Sequence, residues 1–75
     1  MRIVLVEWLD SRIYLGTWQE EDCAKEMPLS HCSSVGYLLH KDKDKMMLVT
    51  SCGNGDVQGT LAIPVKAIKS VKVLR

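Results

Sequence analysis

Seven side chains in the first half of the chain are of types that hold a flat ligand with polar edges. Trp8, Tyr14, Trp18 and Tyr37 are its aromatic residues, and Asp10, Ser11 and Arg12 lie between the first two of them. Indole and phenol rings stack on planar groups and keep a polar handle at one end. Next to them, Asp10 and Ser11 offer acceptors and donors, and Arg12 a planar cation suited to phosphate. The set Trp8, Asp10, Ser11, Arg12, Trp18 and Tyr37 therefore reads as a stacking platform with polar edges, fit for a planar base or a peptide side chain. A competing reading is simpler. The chain has no Phe, and a large aromatic in such a domain is more often core filler than site, so each Trp carries both readings.

Other chemistries fit less well. Cys23, His31, Cys32 and Cys52 have the donor types of a closed zinc site. They include no Cys-x-x-Cys pair, however, and adjacent His31 and Cys32 would point to opposite faces of a strand. The run Gly53-Asn54-Gly55-Asp56 resembles a phosphate nest but lacks the Lys-Ser/Thr of a P-loop, and a hairpin turn explains it. His31 and His40 are the only histidines, and neither stands in a nucleophile–base motif. A chain of 75 residues also has little material with which to enclose a water-free pocket. The expectation is a protein that is not an enzyme, with no cofactor and no metal.

Composition narrows the partners. Apolar residues make up 47% and charged residues 25%, which is the balance of a folded domain rather than a disordered one. A net charge of +1 supplies no global field for nucleic acid or a membrane surface. The charge is nonetheless segregated. Glu20, Glu21, Asp22 and Glu26 cluster early, and Lys66, Lys69, Lys72 and Arg75 late, as two solvated faces able to attract one another. Three cysteines, an odd number, suit reduced thiols in a cytoplasm. The opening run MRIVLVEWLD meets acidic Glu7 and Asp10 at once and reads as a strand rather than a leader. No apolar run approaches membrane-spanning length.

The elements that would position these residues are short and mostly β. Arg2–Leu9 alternates Val4, Val6 and Trp8 on one face with Ile3, Leu5 and Leu9 on the other. Apolarity on both faces predicts a strand covered on both sides, or one that packs on another subunit. Arg12–Trp18 fits either a bent strand or a loop carrying Tyr14 and Trp18 to a barrel mouth. Thr17 and Glu20 have capping-box spacing, which predicts a helix over Trp18–Met27 closed by Pro28. Val35–His40 and Met46–Thr50 flank a charged tip, Lys41–Lys45, as a hairpin. Ser51–Gly59 reads as a turn, Thr60–Ile63 as a strand, Pro64–Ile68 as one tight turn, and Lys69–Leu74 as the last strand. Together they predict one domain over residues 1–75, mainly β: a small SH3-like five-stranded barrel with one short helix in the first long loop.

The order of these motifs carries further information. Val6–Ser11 (VEWLDS), Trp18, an acidic short helix, Ser34–Ser51 (SVGYLLHKDKDKMMLVTS) and Ile63–Leu74 (IPVKAIKSVKVL) follow one another across nearly the whole chain. This layout resembles a group of uncharacterised small phage and prophage proteins. They carry a Glu-Trp-x-Asp-Ser element, a Val-Gly-aromatic-Leu strand and an Ile-Pro-x-x-x-Ile turn. Their recurring residues correspond to Trp8, Asp10, Ser11, Trp18, Gly36 and Pro64. The resemblance implies the cytoplasm of a bacterial host during infection. Joined to the aromatic set and a small core, it leads to the expectation of a non-catalytic accessory protein countering host defence. Such a protein would sequester a small nucleotide signal between subunits of a homo-oligomer, since a shared pocket lets a small chain enclose a ligand. An alternative is an adaptor that inhibits a host protein through an exposed edge or the acidic helix. A nucleic-acid-binding barrel using Lys66, Lys69, Lys72 and Arg75 ranks last because the charge is near neutral.

Overall fold

A computed structural model describes residues 1–75. The Val/Ile/Leu-rich opening forms strand β1 (Ile3–Asp10), and a long connection carrying one helical turn, α1 (Glu21–Lys25), leads to β2 (Ser30–Lys41). Strand β3 (Lys45–Val49) returns beside β2, and a small ribbon of β4 (Ser51–Gly53) and β5 (Asp56–Gln58) follows. Strand β6 (Leu61–Pro64), a 3₁₀ turn at Val65–Ala67 and β7 (Ile68–Val73) complete the chain.

The five longer strands form one antiparallel sheet in the order β6-β3-β2-β1-β7. Strands β6 and β7 are thus its two edges, joined by three residues. Across a flat sheet the edges would lie about 19 Å apart, whereas the step from Pro64 to Ile68 spans roughly 14 Å at most. The sheet must curl to make that connection, and it remains open, because β6 and β7 do not pair. Val4, Val6, Met46, Leu48 and Ile63 are buried in the curl, and Trp8, Leu38 and Ile68 pack against them.

Register explains the alternation of β1. Val4 lies opposite Gly36, and Val6 opposite Ser34, on the core side. Ile3 pairs with Tyr37, Leu5 with Val35 and Leu9 with His31 on the other side. There Ile3, Leu5, Leu9 and Tyr37 are half-buried and Val35 is 58% exposed. The second apolar face of β1 is therefore only partly covered within one chain, although Val49, opposite Tyr37 on the same side, is fully buried. At Gly36 an added Cβ would stand 2.9 Å from the Val49 carbonyl oxygen and 3.2 Å from Leu48 Cβ, so glycine lets β2 and β3 approach here.

The predicted hairpin forms, and its tip works without an Asn-Gly pair. Asp42 Oδ1 accepts from the Asp44 and Lys45 amides at 2.8 and 2.9 Å, and the Asp42 amide donates to the Lys45 carbonyl at 2.9 Å. These amides, then His40 Nε2 at 2.9 Å from Oδ2, lower the Asp42 pKa to about 2 from 3.8. The 3₁₀ turn and last strand also form where expected.

Three expectations need correction. The helix is one turn, Glu21–Lys25, rather than Trp18–Met27, and Thr17 makes no cap; Glu20 occupies the N-cap position without a side-chain hydrogen bond. Short helices are marginal without an apolar face to pack, and none of its residues is buried. The Ser51–Gly59 turn contains its own ribbon, bent at Asn54 and Gly55 with φ of 53° and 83°, as in a type I′ turn. Arg12–Trp18 is a loop, but it lies beyond the sheet rather than on a barrel mouth.

Candidate functional site

Strands β1 and β2 stay paired out to Asp10 opposite Ser30, and everything between those residues projects beyond the sheet. The molecule is consequently long and thin, 52 × 22 × 21 Å. Residues Ser11–Leu29 form an arm in which every residue is exposed. At its base, Asp10 turns the chain by accepting the Ser11 amide through Oδ1 at 2.8 Å. Arg12 Nε donates to Ser30 Oγ at 3.3 Å, tying the loop to the start of β2 and leaving the terminal guanidinium nitrogens without a partner in the chain.

The loop and the helical turn fold towards each other around a concavity of about 580 Å³. Arg12, Ile13, Tyr14 and Gln19 line it from the loop, and Cys23, Glu26 and Met27 from the helical turn and the residues after it. The volume falls within the range of small-molecule sites. Its chemistry combines a phenol ring, an amide, a carboxylate and one cation held from behind by a serine hydroxyl. Trp18, next in sequence to Gln19, does not line the concavity and is 95% exposed.

The six residues expected to bind ligand do not form one surface within a chain. Arg12 lines the concavity, Asp10 and Ser11 build the turn at its base, and Trp18 projects from the arm. Trp8 belongs elsewhere. It packs against the core cluster, and its Nε1 donates to Ser34 Oγ at 3.0 Å. Tyr37 sits on the opposite side of the sheet, in register with Ile3 and Val49. The two tryptophans thus divide between the two readings the sequence allowed, Trp8 at the core and Trp18 outside it. No motif marks Gln19, Glu26 or Met27 as lining residues, because only the fold of the arm brings them to one concavity with Arg12.

Cys23, Cys32 and Cys52 are free thiols on the arm, on β2 and on the ribbon. Side chains of His, Cys, Asp and Glu form no group arranged to hold a metal ion. No helix is long and apolar enough to cross a membrane. No protein-family model, curated protein or solved structure matches the chain.

Proposed function

We propose that this chain is a non-catalytic phage accessory protein that counters a host defence by sequestering a small nucleotide signal between subunits of a homo-oligomer. The observation that carries the ligand reading is the arm concavity, in which Arg12 faces a site walled by Tyr14 and flanked by Trp18. A guanidinium with free terminal nitrogens suits a phosphate. Tyr14 and Trp18 supply faces for a base, and Gln19 and Glu26 supply hydrogen-bonding partners for its edge. The concavity is open, and a second subunit would close it. The phage setting, the bacterial cytoplasm and the counter-defence role rest on the motif layout.

We also read the curled sheet as an SH3-like barrel. Its support is the strand order, with the last strand beside the first, and the 3₁₀ turn before that last strand. In this arrangement the barrel is the scaffold and the arm is the binding element.

Native mass spectrometry of the purified protein with a panel of linear and cyclic nucleotides tests the reading. The expected result is an oligomer that retains a stoichiometric nucleotide-sized adduct, lost in Arg12→Ala and Trp18→Ala while the far-UV circular dichroism spectrum stays unchanged. No adduct with any nucleotide refutes sequestration. A second reading, direct inhibition of a host protein, draws on the exposed Glu20, Glu21 and Asp22. Under it, charge reversal at these three positions abolishes inhibition in a protein whose wild type retains no nucleotide.

A further inference from the structure

The shape of the chain does not suit an isolated molecule. A compact domain of 75 residues has a radius of gyration near 11 Å, whereas this chain has 15.8 Å. Its accessible surface is 5948 Å², against roughly 4,600 Å² for a folded monomer of 8.4 kDa. The excess, about 1,300 Å² per chain, exceeds the roughly 800 Å² per partner of a standard interface. Much of it is apolar and lies on the arm, where Ile13 is 75%, Leu15 85% and Trp18 95% exposed.

A matching surface exists on the same molecule. The second face of β1 and β2 presents Leu5 with Val35 in one register row and Tyr37 in the next, with Leu9 beyond the Glu7–Ser33 row; Val35 is 58% exposed, and Leu5, Leu9 and Tyr37 are half-buried. Lys72 stands in register with Leu5 on this face. Lys69 falls within the irregular step of β7 opposite Glu7 and Trp8, and Arg75 is bonded through its backbone to Ile3. None of these three cations has an ion-pair partner, and among Glu20, Glu21, Asp22 and Glu26 only Glu21 is paired, with Lys25. The apolar arm is thus acidic, and the sheet face, whose one carboxylate, Glu7, accepts from Ser33 Oγ at 2.6 Å, is bordered by lysine and arginine.

We infer that the arm of one chain docks on the second sheet face of another copy, reciprocally, in a two-fold dimer. Ile13, Leu15 and Trp18 cover Leu5, Leu9 and Val35, and the acidic turn faces the basic β7 edge. Face docking also agrees with the lysines on that edge, which oppose extension of the sheet by strand addition. The exchange brings the arm concavity of one copy beside Tyr37 of the other, uniting site residues that are separate in one chain. This inference rests on the oligomeric part of the reading above and is independent of the ligand.

Sedimentation equilibrium and a charge-swap series test it. Wild type is expected at twice the 8.4 kDa chain mass. Leu15→Ser with Trp18→Ser is expected at the monomer mass with an unchanged circular dichroism spectrum, since both side chains are free in the single chain. An arm variant with Glu20, Glu21 and Asp22 changed to Lys, and an edge variant with Lys69, Lys72 and Arg75 changed to Glu, each dissociate alone. Mixed, they restore the dimer, because both contacts in the heterodimer then join opposite charges. A monomeric wild type overturns the inference, and so does an arm variant that remains dimeric or a mixture that stays dissociated. A dimer that binds no nucleotide defeats the ligand reading and leaves this interface standing.

Discussion

Gly36→Ala tests the packing on which the whole sheet depends. Gly36 is buried opposite Val4, and its backbone lies outside the left-handed region, so only space is at issue. The new Cβ would meet the Val49 carbonyl oxygen at 2.9 Å and Leu48 Cβ at 3.2 Å. The first is backbone and cannot rotate away, and Leu48 is buried in the core. Relief requires β3 to move from β2 next to the register shift between Leu38 and His40. Overpacking of this kind costs about 1–3 kcal/mol, while replacing glycine restricts the unfolded chain and returns about 0.4–1 kcal/mol. The net expectation is a loss of about 1–2 kcal/mol, which in a domain of this size lowers Tm by roughly 5–15 °C. Thermal melts followed by circular dichroism, at one fixed protein concentration because association shifts apparent stability, give the answer. Ile63→Val serves as a conventional core reference, expected to lose about 0.5–1.5 kcal/mol. A Gly36→Ala protein as stable as wild type would refute the close approach of β2 and β3.

Three further outcomes follow from individual contacts. Trp8→Phe removes the indole donor to Ser34 and should cost about 1 kcal/mol in urea unfolding, whereas Trp18→Phe should leave the unfolding free energy unchanged in the monomeric arm variant with Glu20, Glu21 and Asp22 changed to Lys. Asp42 has a folded pKa below its unfolded value, so its stabilisation of the hairpin tip is complete above pH 3.8 and fades as pH falls towards 2. The amide shifts of Asp44 and Lys45 should report that window by NMR, and Asp42→Asn should abolish the titration. Gly55 holds a φ of 83° at the ribbon bend, so Gly55→Ala should cost about 1 kcal/mol. Hydrogen exchange should rise in Ser51–Gln58 before it rises in the main sheet.

The sheet was legible because its signals are local. Val4, Val6 and Trp8 announce one face by alternation, the charges at Lys41–Lys45 cannot be buried, and Pro64 followed by Ile68 marks the turn into the last strand. The arm was less legible because its conformation depends on contacts the sequence does not order. Thr17 and Glu20 have the spacing of a capping box, yet a helix there has no apolar face to pack against, and only one turn forms. Trp8 and Trp18 are alike as residue types. Their fates differ because Trp8 lies in register with the core and Trp18 lies past the end of the ladder. Glu26 and Met27 reach the concavity only because the chain returns through the helical turn past Arg12–Gly16, an arrangement no short motif encodes.

The ladder from Ile3–Tyr37 to Asp10–Ser30 has one more consequence. Whatever joins Asp10 to Ser30 begins and ends on a fixed pair of residues, and the rest of the domain does not depend on its contents. Doubling the length of such a loop costs only about 0.6 kcal/mol in closure entropy. Insertions, deletions and wholesale replacement in the arm can therefore accumulate while the curled sheet keeps its register. Selection can refit the chain to a new target by rewriting one contiguous segment.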